Sequence, residues 1–266
     1  MKALFHFKLF IILLALITSA CSESNLEQTQ TGITAEQQSK VHDLILTQQF
    51  QSVSLAIGIV NDISGSYRIN PESLDFDILF KTMPSCQGRV VVGYTHIDED
   101  SYDPIIRYNY IPLLQTEMPK SNDKTNAWIE SEKTKPDNNV YNHVNQTIDS
   151  LNMASLALFS NKVAEKLNRN TARRSDVVFA LKRASSFLCE FSDCPRILVV
   201  CSDFKDTYKR SMNLDPSITL FVIGSNVLPR DVKASTGIDP TGYRLFESYE
   251  EALNHIAKYY MYNSKK

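Results

Sequence analysis

Val53-Ser54-Leu55-Ala56-Ile57-Gly58-Ile59-Val60 is a short apolar run that leads straight into Asn61-Asp62-Ile63-Ser64-Gly65-Ser66. The run reads as a buried strand and the residues after it as a tight turn. Asp62, Ser64 and Ser66 alternate in that turn and offer three side-chain oxygens. Hard divalent cations such as Mg²⁺ take oxygen ligands in octahedral array and keep some of their waters. The stretch therefore reads as a metal-ion site at the tip of a strand. Without a cation, Ser64 and Ser66 read as turn or helix-cap residues, which serine favours for its side-chain hydrogen bonds.

Working outward, other apolar runs follow. Arg196-Ile197-Leu198-Val199-Val200-Cys201-Ser202 is almost wholly apolar, the pattern of a strand covered on both faces. Residues 218–224 form another such run and 244–246 a short last one. Residues 89–95 are β-rich and bounded by Gly88. Residues 104–110 are a further candidate, with Pro104 confining that end to an edge or a strand start. Helical patterns fall between. Thr34-Ala35-Glu36-Gln37 is a capping box before a short helix carrying Val41, Leu44, Ile45 and Phe50. Residues 71–83 make a helix with Pro71 in its first turn, stopped by Pro84. Val140, Val144, Ile148, Leu151, Leu158, Val163 and Leu167 mark one long amphipathic helix, or two broken near Asn152. Another helix spans about 175–188, and Ser248-Tyr249-Glu250-Glu251 caps a last one through Tyr260. This alternation predicts an α/β fold: a Rossmann-like, doubly wound, mainly parallel sheet flanked by helices, with a helical insertion over about 112–170.

In open α/β sheets, ligands bind beyond the carboxyl ends of the strands. Two strands here end in acidic, hydroxyl-bearing turns, one at Asp62 and one at Ser202-Asp203-Phe204-Lys205-Asp206. As parallel neighbours they would bring Asp62 and Asp203 to one crevice, where a shared cation removes the repulsion between the carboxylates. Taken alone, Asp203 also reads as the N-cap of a helix starting at Phe204. Together the pieces resemble the metal-ion-dependent adhesion site of von Willebrand factor A domains. Asp62-Ile63-Ser64-Gly65-Ser66 fits its DxSxS opening. Ser175-Asp176-Val177-Val178-Phe179-Ala180-Leu181 follows the outline T-x-(hydrophobic)-x-x-A-L, and Asp203 matches the Asp after the next core strand. Thr171 is the alternative to Ser175; the Ala-Leu spacing favours Ser175. The chain departs from the family outline at Ser175 for Thr, at Arg173-Arg174 for Gly-Gly, and at Phe204 for Gly. Arg174 would weaken cation affinity or bind an acidic partner residue.

The resemblance covers about 53–260. It implies a von Willebrand factor A-like domain over 34–266 that binds Mg²⁺ (or Mn²⁺ or Ca²⁺) through Asp62, Ser64, Ser66, Ser175 and Asp203. A protein partner's Asp or Glu carboxylate would complete the coordination, without catalysis. Two other readings stay open: a Mg²⁺-dependent phosphoryl-transfer or hydrolytic enzyme, and a metal-free scaffold. Against the enzyme, Ser64 stands where a second Asp would be expected, and the sequence has no P-loop, GxSxG or HExxH.

The start of the chain reads separately. Lys2 and Lys8, the apolar run 9–17 and the small residues Thr18-Ser19-Ala20 make residues 1–20 a signal peptide. Cys21 follows directly, as in a bacterial lipoprotein box, with Thr18 where Leu is commonest; the alternative is an ordinary signal peptide. A lipid on Cys21 would anchor the protein to a membrane without spanning it, and 21–33 would be a tether. Roughly 245 residues remain, enough for one large domain or two small ones. A net charge of −2 gives no electrostatic case for nucleic-acid binding. Cys189 and Cys194 flank a turn and are the pair best placed to bridge outside the cytoplasm, whereas Cys201 reads as a buried hydrophobe. Asp98-Glu99-Asp100-Ser101-Tyr102-Asp103 reads as a solvated acidic loop, and His96, His143 and His255 as isolated structural or exposed residues.

Overall fold

The computed structural model describes residues 35–64, 76–86, 88–99, 102–114, 124–168, 174–224 and 227–261, with the backbone alone at 35, 85 and 124–137. Residues 40–266 form one compact unit. Of the other, residues 1–39, the described part is the start of helix α1 (Ala35–Gln49). The signal peptide, the Cys21 tether, the capping box at Thr34, Pro71, Ser66 and Thr171 lie outside the described residues.

Six strands build one sheet: β1 (Val53–Asp62), β2 (Arg89–Ile97), β3 (Ile106–Tyr110), β4 (Arg196–Cys201), β5 (Ile218–Ile223) and β6 (Tyr243–Phe246). Their order is β3-β2-β1-β4-β5-β6, parallel throughout except for β3, which runs antiparallel along the edge of β2. This is the predicted α/β, doubly wound, mainly parallel sheet, and it is consistent with the von Willebrand factor A-like arrangement. Pro104 precedes an edge strand, where a missing ladder donor is tolerated.

The two-residue period of the strands divides their side chains between two cores. Leu55, Ile57 and Ile59 of β1 face one way, with Val90, Val92 and Tyr94 of β2 and Ile197 and Val199 of β4. Helices α2 (Asp77–Thr82), α3 (Lys124–Leu167) and α6 (Tyr249–Ile256) cover that face through Leu79, Phe159, Val163, Leu253 and Ile256. Ala56 and Val60, Val91, Leu198 and Val200 face the other way, under α4 (Val177–Leu188) and α5 (Pro229–Thr236). Helix α5, unforeseen in the sequence, starts on Pro229 and ends on Gly237 at φ +75°, the left-handed stop that glycine adopts without a Cβ clash.

The helices decide two open alternatives and change one expectation. The insertion carries a single helix of 44 residues, about 66 Å long, and does not break at Asn152. Asn152 is buried, and its side-chain amide accepts from Ile111 N–H and donates to Ile111 C=O, both at 2.9 Å. Asn145, seven residues earlier, pairs with Leu114 in the same way. The helix thus satisfies backbone groups just beyond β3 with side-chain amides. Leu158, expected on the packed face, is 62% exposed, and Phe159 is buried in its place. No helix begins at Phe204: the crossover from β4 to β5 has none, and Phe204 and Leu214 plug the core in its stead. Ser248 caps α6 as expected, accepting from Glu251 N–H.

Helix α4 seats so closely on the sheet that a Cβ at Gly93 would lie 2.6 Å from the Phe187 ring. Gly93→Ala is expected to lower the unfolding free energy by about 1–3 kcal/mol through overpacking. In urea denaturation, Phe187→Leu added to Gly93→Ala should recover part of that loss; no recovery would place the clash elsewhere.

Candidate cation site at the strand switch point

The strand order reverses between β1 and β4. After β1 the chain passes to the face of α2, and after β4 to the face of α4. A crevice opens at such a switch point beyond the carboxyl ends of the strands. The register Asn61↔Cys201 ends the two strands level with each other, so Asp62 and the Ser202-Asp203 pair arrive side by side.

Asp62 has no solvent exposure. Its Oδ1 accepts the Ser64 backbone N–H at 2.9 Å and its Oδ2 accepts the Ser202 hydroxyl at 2.7 Å. Ser202 in turn accepts from Phe204 N–H at 2.9 Å, so one hydroxyl ties both strand ends together. Burial pushes the Asp62 carboxyl up from 3.8 to about 6; hydrogen bonds from Ser64 and Ser202 oppose that rise, and the nearby Asp203 charge adds to it. Ser64 is buried beside Asp62. Asp203 is nearly buried; its Oδ1 accepts Lys205 N–H at 3.0 Å and its Oδ2 lies 3.2 Å from the Lys205 ammonium.

Ser175 is buried just before α4 and is joined to the loop after Asp203 by a reciprocal pair of bonds. Its N–H donates to the Thr207 hydroxyl and its C=O accepts from Thr207 N–H, each at 3.0 Å. Asp176 caps α4, accepting from Phe179 N–H at 3.1 Å, and is ion-paired with Arg210. Burial raises its carboxyl above the ordinary value, against the pull of the Phe179 amide and Arg210. Asp206 accepts from both Val178 N–H and Arg210 N–H. The loop 203–210 is therefore clamped to the N-terminus of α4, where carboxylates are favoured by the unpaired amides. Arg174 is exposed.

Of the sequence-predicted ligands, the structure brings Asp62, Ser64 and Asp203 together and links Ser175 to them through the Asp203 loop. All are hard oxygen donors, the chemistry that fits Mg²⁺, Mn²⁺ or Ca²⁺. Phe204 holds φ +60°. It is the position where the family outline has Gly, and a bulky residue in that region is strained. Burial of its ring and a bond from the Ser235 hydroxyl to its C=O hold it there.

The Cys189–Cys194 bridge is not formed. Both are free thiols, with Cys189 Sγ turned toward Arg196 and Asp215 and Cys194 Sγ toward the Phe191 carbonyl. Nor is His96 isolated. It is buried at the end of β2, with Nε2 2.9 Å from Asp98 Oδ2 and 3.6 Å from Asp103 Oδ2. The three ligand atoms lie within 4.8 Å of one another, a group able to hold a metal ion. Lys166 of α3 already sits 2.5 Å from Asp103 Oδ2, and Asp98 and Asp103 both act on the Arg183 guanidinium of α4. The acidic loop thus joins helices on both faces of the sheet. Its sequence signal was an acidic run two residues after a histidine at the strand end.

No protein-family model matches the sequence, and no curated protein matches it. Solved structures that align with the chain include proximal thread matrix protein 1 from the mussel byssus, at 10% identity and TM-score 0.36. The match spans 78% of this chain and 45% of that one, less than half the mussel protein's length. Others are the conserved hypothetical protein BatB from Bacteroides thetaiotaomicron (11%, TM-score 0.36, 77% and 96% covered) and manganese-loaded TRAP protein from Plasmodium vivax (9%, TM-score 0.35, 76% and 72% covered). Likeness at this level carries no weight for family or function.

A carboxyl raised from 3.8 to about 6 by folding makes its ionised form destabilising. Its contribution is fully favourable below about pH 4 and is lost as pH rises through 6, a change of about 3 kcal/mol. In EDTA, Asp62→Asn should therefore gain about 2–3 kcal/mol relative to wild type between pH 4 and pH 7.5, measured by chemical denaturation. A difference independent of pH would exclude the buried-carboxylate account.

Proposed function

We propose that this protein is a divalent-cation-dependent protein-binding module held at a membrane surface. The observation that carries the reading is the convergence of Asp62 and Asp203 at the β1–β4 switch point, with Asp62 wholly buried. Two carboxylates drawn out of water beside each other favour a shared cation. Asp62, Ser64, Ser175 and Asp203, with Ser66 beyond the described residues, would hold Mg²⁺, Mn²⁺ or Ca²⁺ directly or through water. The cation would supply an open coordination position for an Asp or Glu carboxylate of a protein partner. No turnover is assigned to the site.

Exposed side chains suit such a partner. Tyr208, in the loop that follows Asp203, carries Arg210 stacked 4.5 Å over its ring, and Tyr102 is tilted against Phe179 of α4 at 4.8 Å; both tyrosines are exposed. Tyrosine and arginine dominate binding hot spots because they combine large contact area with polar tips. Lipidation at Cys21 would place the module on a bacterial membrane, on the periplasmic or cell-surface side. Among the described residues, no helix is long and apolar enough to cross a membrane. The insertion helix would offer a second contact surface.

The competing metal-free scaffold has one observation in its favour, the Lys205 ammonium on Asp203. Thermal shift separates the two. Mg²⁺ or Mn²⁺ at a hundredfold excess over its Kd is expected to stabilise the full chain by about 2.7 kcal/mol, or about 5–10 °C. Asp62→Ala should abolish the shift. A wild-type melting temperature indifferent to both cations at millimolar concentration would sink the cation-dependent reading.

A further inference from the structure

Asp203 is gripped on both oxygens by one residue of its own loop. Lys205 donates its backbone N–H to Oδ1 and rests its ammonium 3.2 Å from Oδ2. The left-handed kink at Phe204 stands between the two residues and folds position 205 back over position 203. The two halves of the grip differ in permanence. The amide bond belongs to the turn. The ammonium ends a side chain that is 64% exposed, against 9% for the carboxylate it touches, and can swing into water without moving the backbone. Asp62, behind it, is held by the uncharged donors Ser64 and Ser202. Lys205 thus places a positive charge on the outer carboxylate of the pair, at the open side of the crevice.

We propose that Lys205 is a tethered counter-ion. Its ammonium holds the cation position beside Asp203 until a divalent cation displaces it, so Lys205 sets how tightly the site takes its metal. This rests on the cation-binding reading above and names its regulation. A dication and an ammonium cannot both crowd one carboxylate oxygen without strong mutual repulsion, so the two exchange. The charge released swings outward, where it meets an incoming acidic partner. Metal entry and partner attraction are coupled by one side chain.

The test compares the full chain of wild type, Lys205→Gln, Lys205→Arg and, as a charge control, Lys209→Gln, an exposed lysine of the same stretch. In EDTA, Lys205→Gln should melt about 1–3 °C below wild type, because Asp203 has lost its counter-charge. Lys209→Gln should not. With Mn²⁺ as probe, followed by calorimetry and by the EPR signal of free Mn²⁺, Lys205→Gln should bind about five- to tenfold tighter than wild type. Lys205→Arg should stay near wild type, and Lys209→Gln within about twofold of it. Binding by Lys205→Gln alone also supports the proposal. An unchanged melting temperature for Lys205→Gln in EDTA, or equal affinity gains in Lys205→Gln and Lys209→Gln, overturns it. Wild-type Mn²⁺ binding with no gain in Lys205→Gln overturns the tethered counter-ion and leaves the cation site standing. Absence of Mn²⁺ binding in every variant overturns both.

Discussion

The parallel pairing of β1 with β4 governs the rest of the site. Six residues in register, from Ala56↔Arg196 to Asn61↔Cys201, end the two strands at one level. The chain leaves them toward opposite faces, the arrangement that opens a crevice beyond their carboxyl ends. The Ser202 hydroxyl reaches Asp62 across a sequence separation of 140 residues and donates at 2.7 Å. A slip of one residue in that register would reverse every side chain of one strand between the two cores, and would carry Asp62 away from α4. The interior packing on both faces therefore fixes the position of the buried carboxylate.

The loop after β4 shows how a site is held without regular structure. It replaces a crossover helix, buries Phe204 and Leu214, and accepts an unfavourable backbone conformation at Phe204. Thr207 bonds Ser175, while Asp206 and Arg210 bond the first turn of α4 and its cap. The same contacts that anchor the loop set the spacing between Ser175 and Asp203. Structural and candidate functional roles are thus carried by adjacent residues: Asp203 and Lys205 face the crevice, and Phe204 and Asp206 face the protein.

Most of the fold was legible because its signals are local. Apolar runs marked β1, β4 and β5, and Pro104 marked the edge at β3. What stayed open or was misread has physical causes too. A break at Asn152 stayed open because a mid-helix Asn usually competes for backbone bonds; here its amide serves a neighbouring segment instead. Leu158 and Phe159 are adjacent and both apolar, and only the packing against Tyr108 and Phe80 decides which is buried. Helix α5 has one buried large aliphatic, Val232, too little periodicity to read. His96 looked isolated because its partners Asp98 and Asp103 read as a solvated loop; the fold turns both carboxylates back onto the buried ring, with Lys166 of α3 holding Asp103 from the other side.

Alone, the sequence determined the alternation of strands and helices and the presence of Asp62 and Asp203 at two strand ends. These follow from side-chain periodicity and turn chemistry, which act over a few residues. Tertiary structure alone decided that β4 lies beside β1, that Ser175 joins the Asp203 loop, that Lys205 folds back on Asp203, and that Asp62 is stripped of solvent. Strand order depends on burying apolar surface on both faces at once, a sum over the whole sheet that no local window contains.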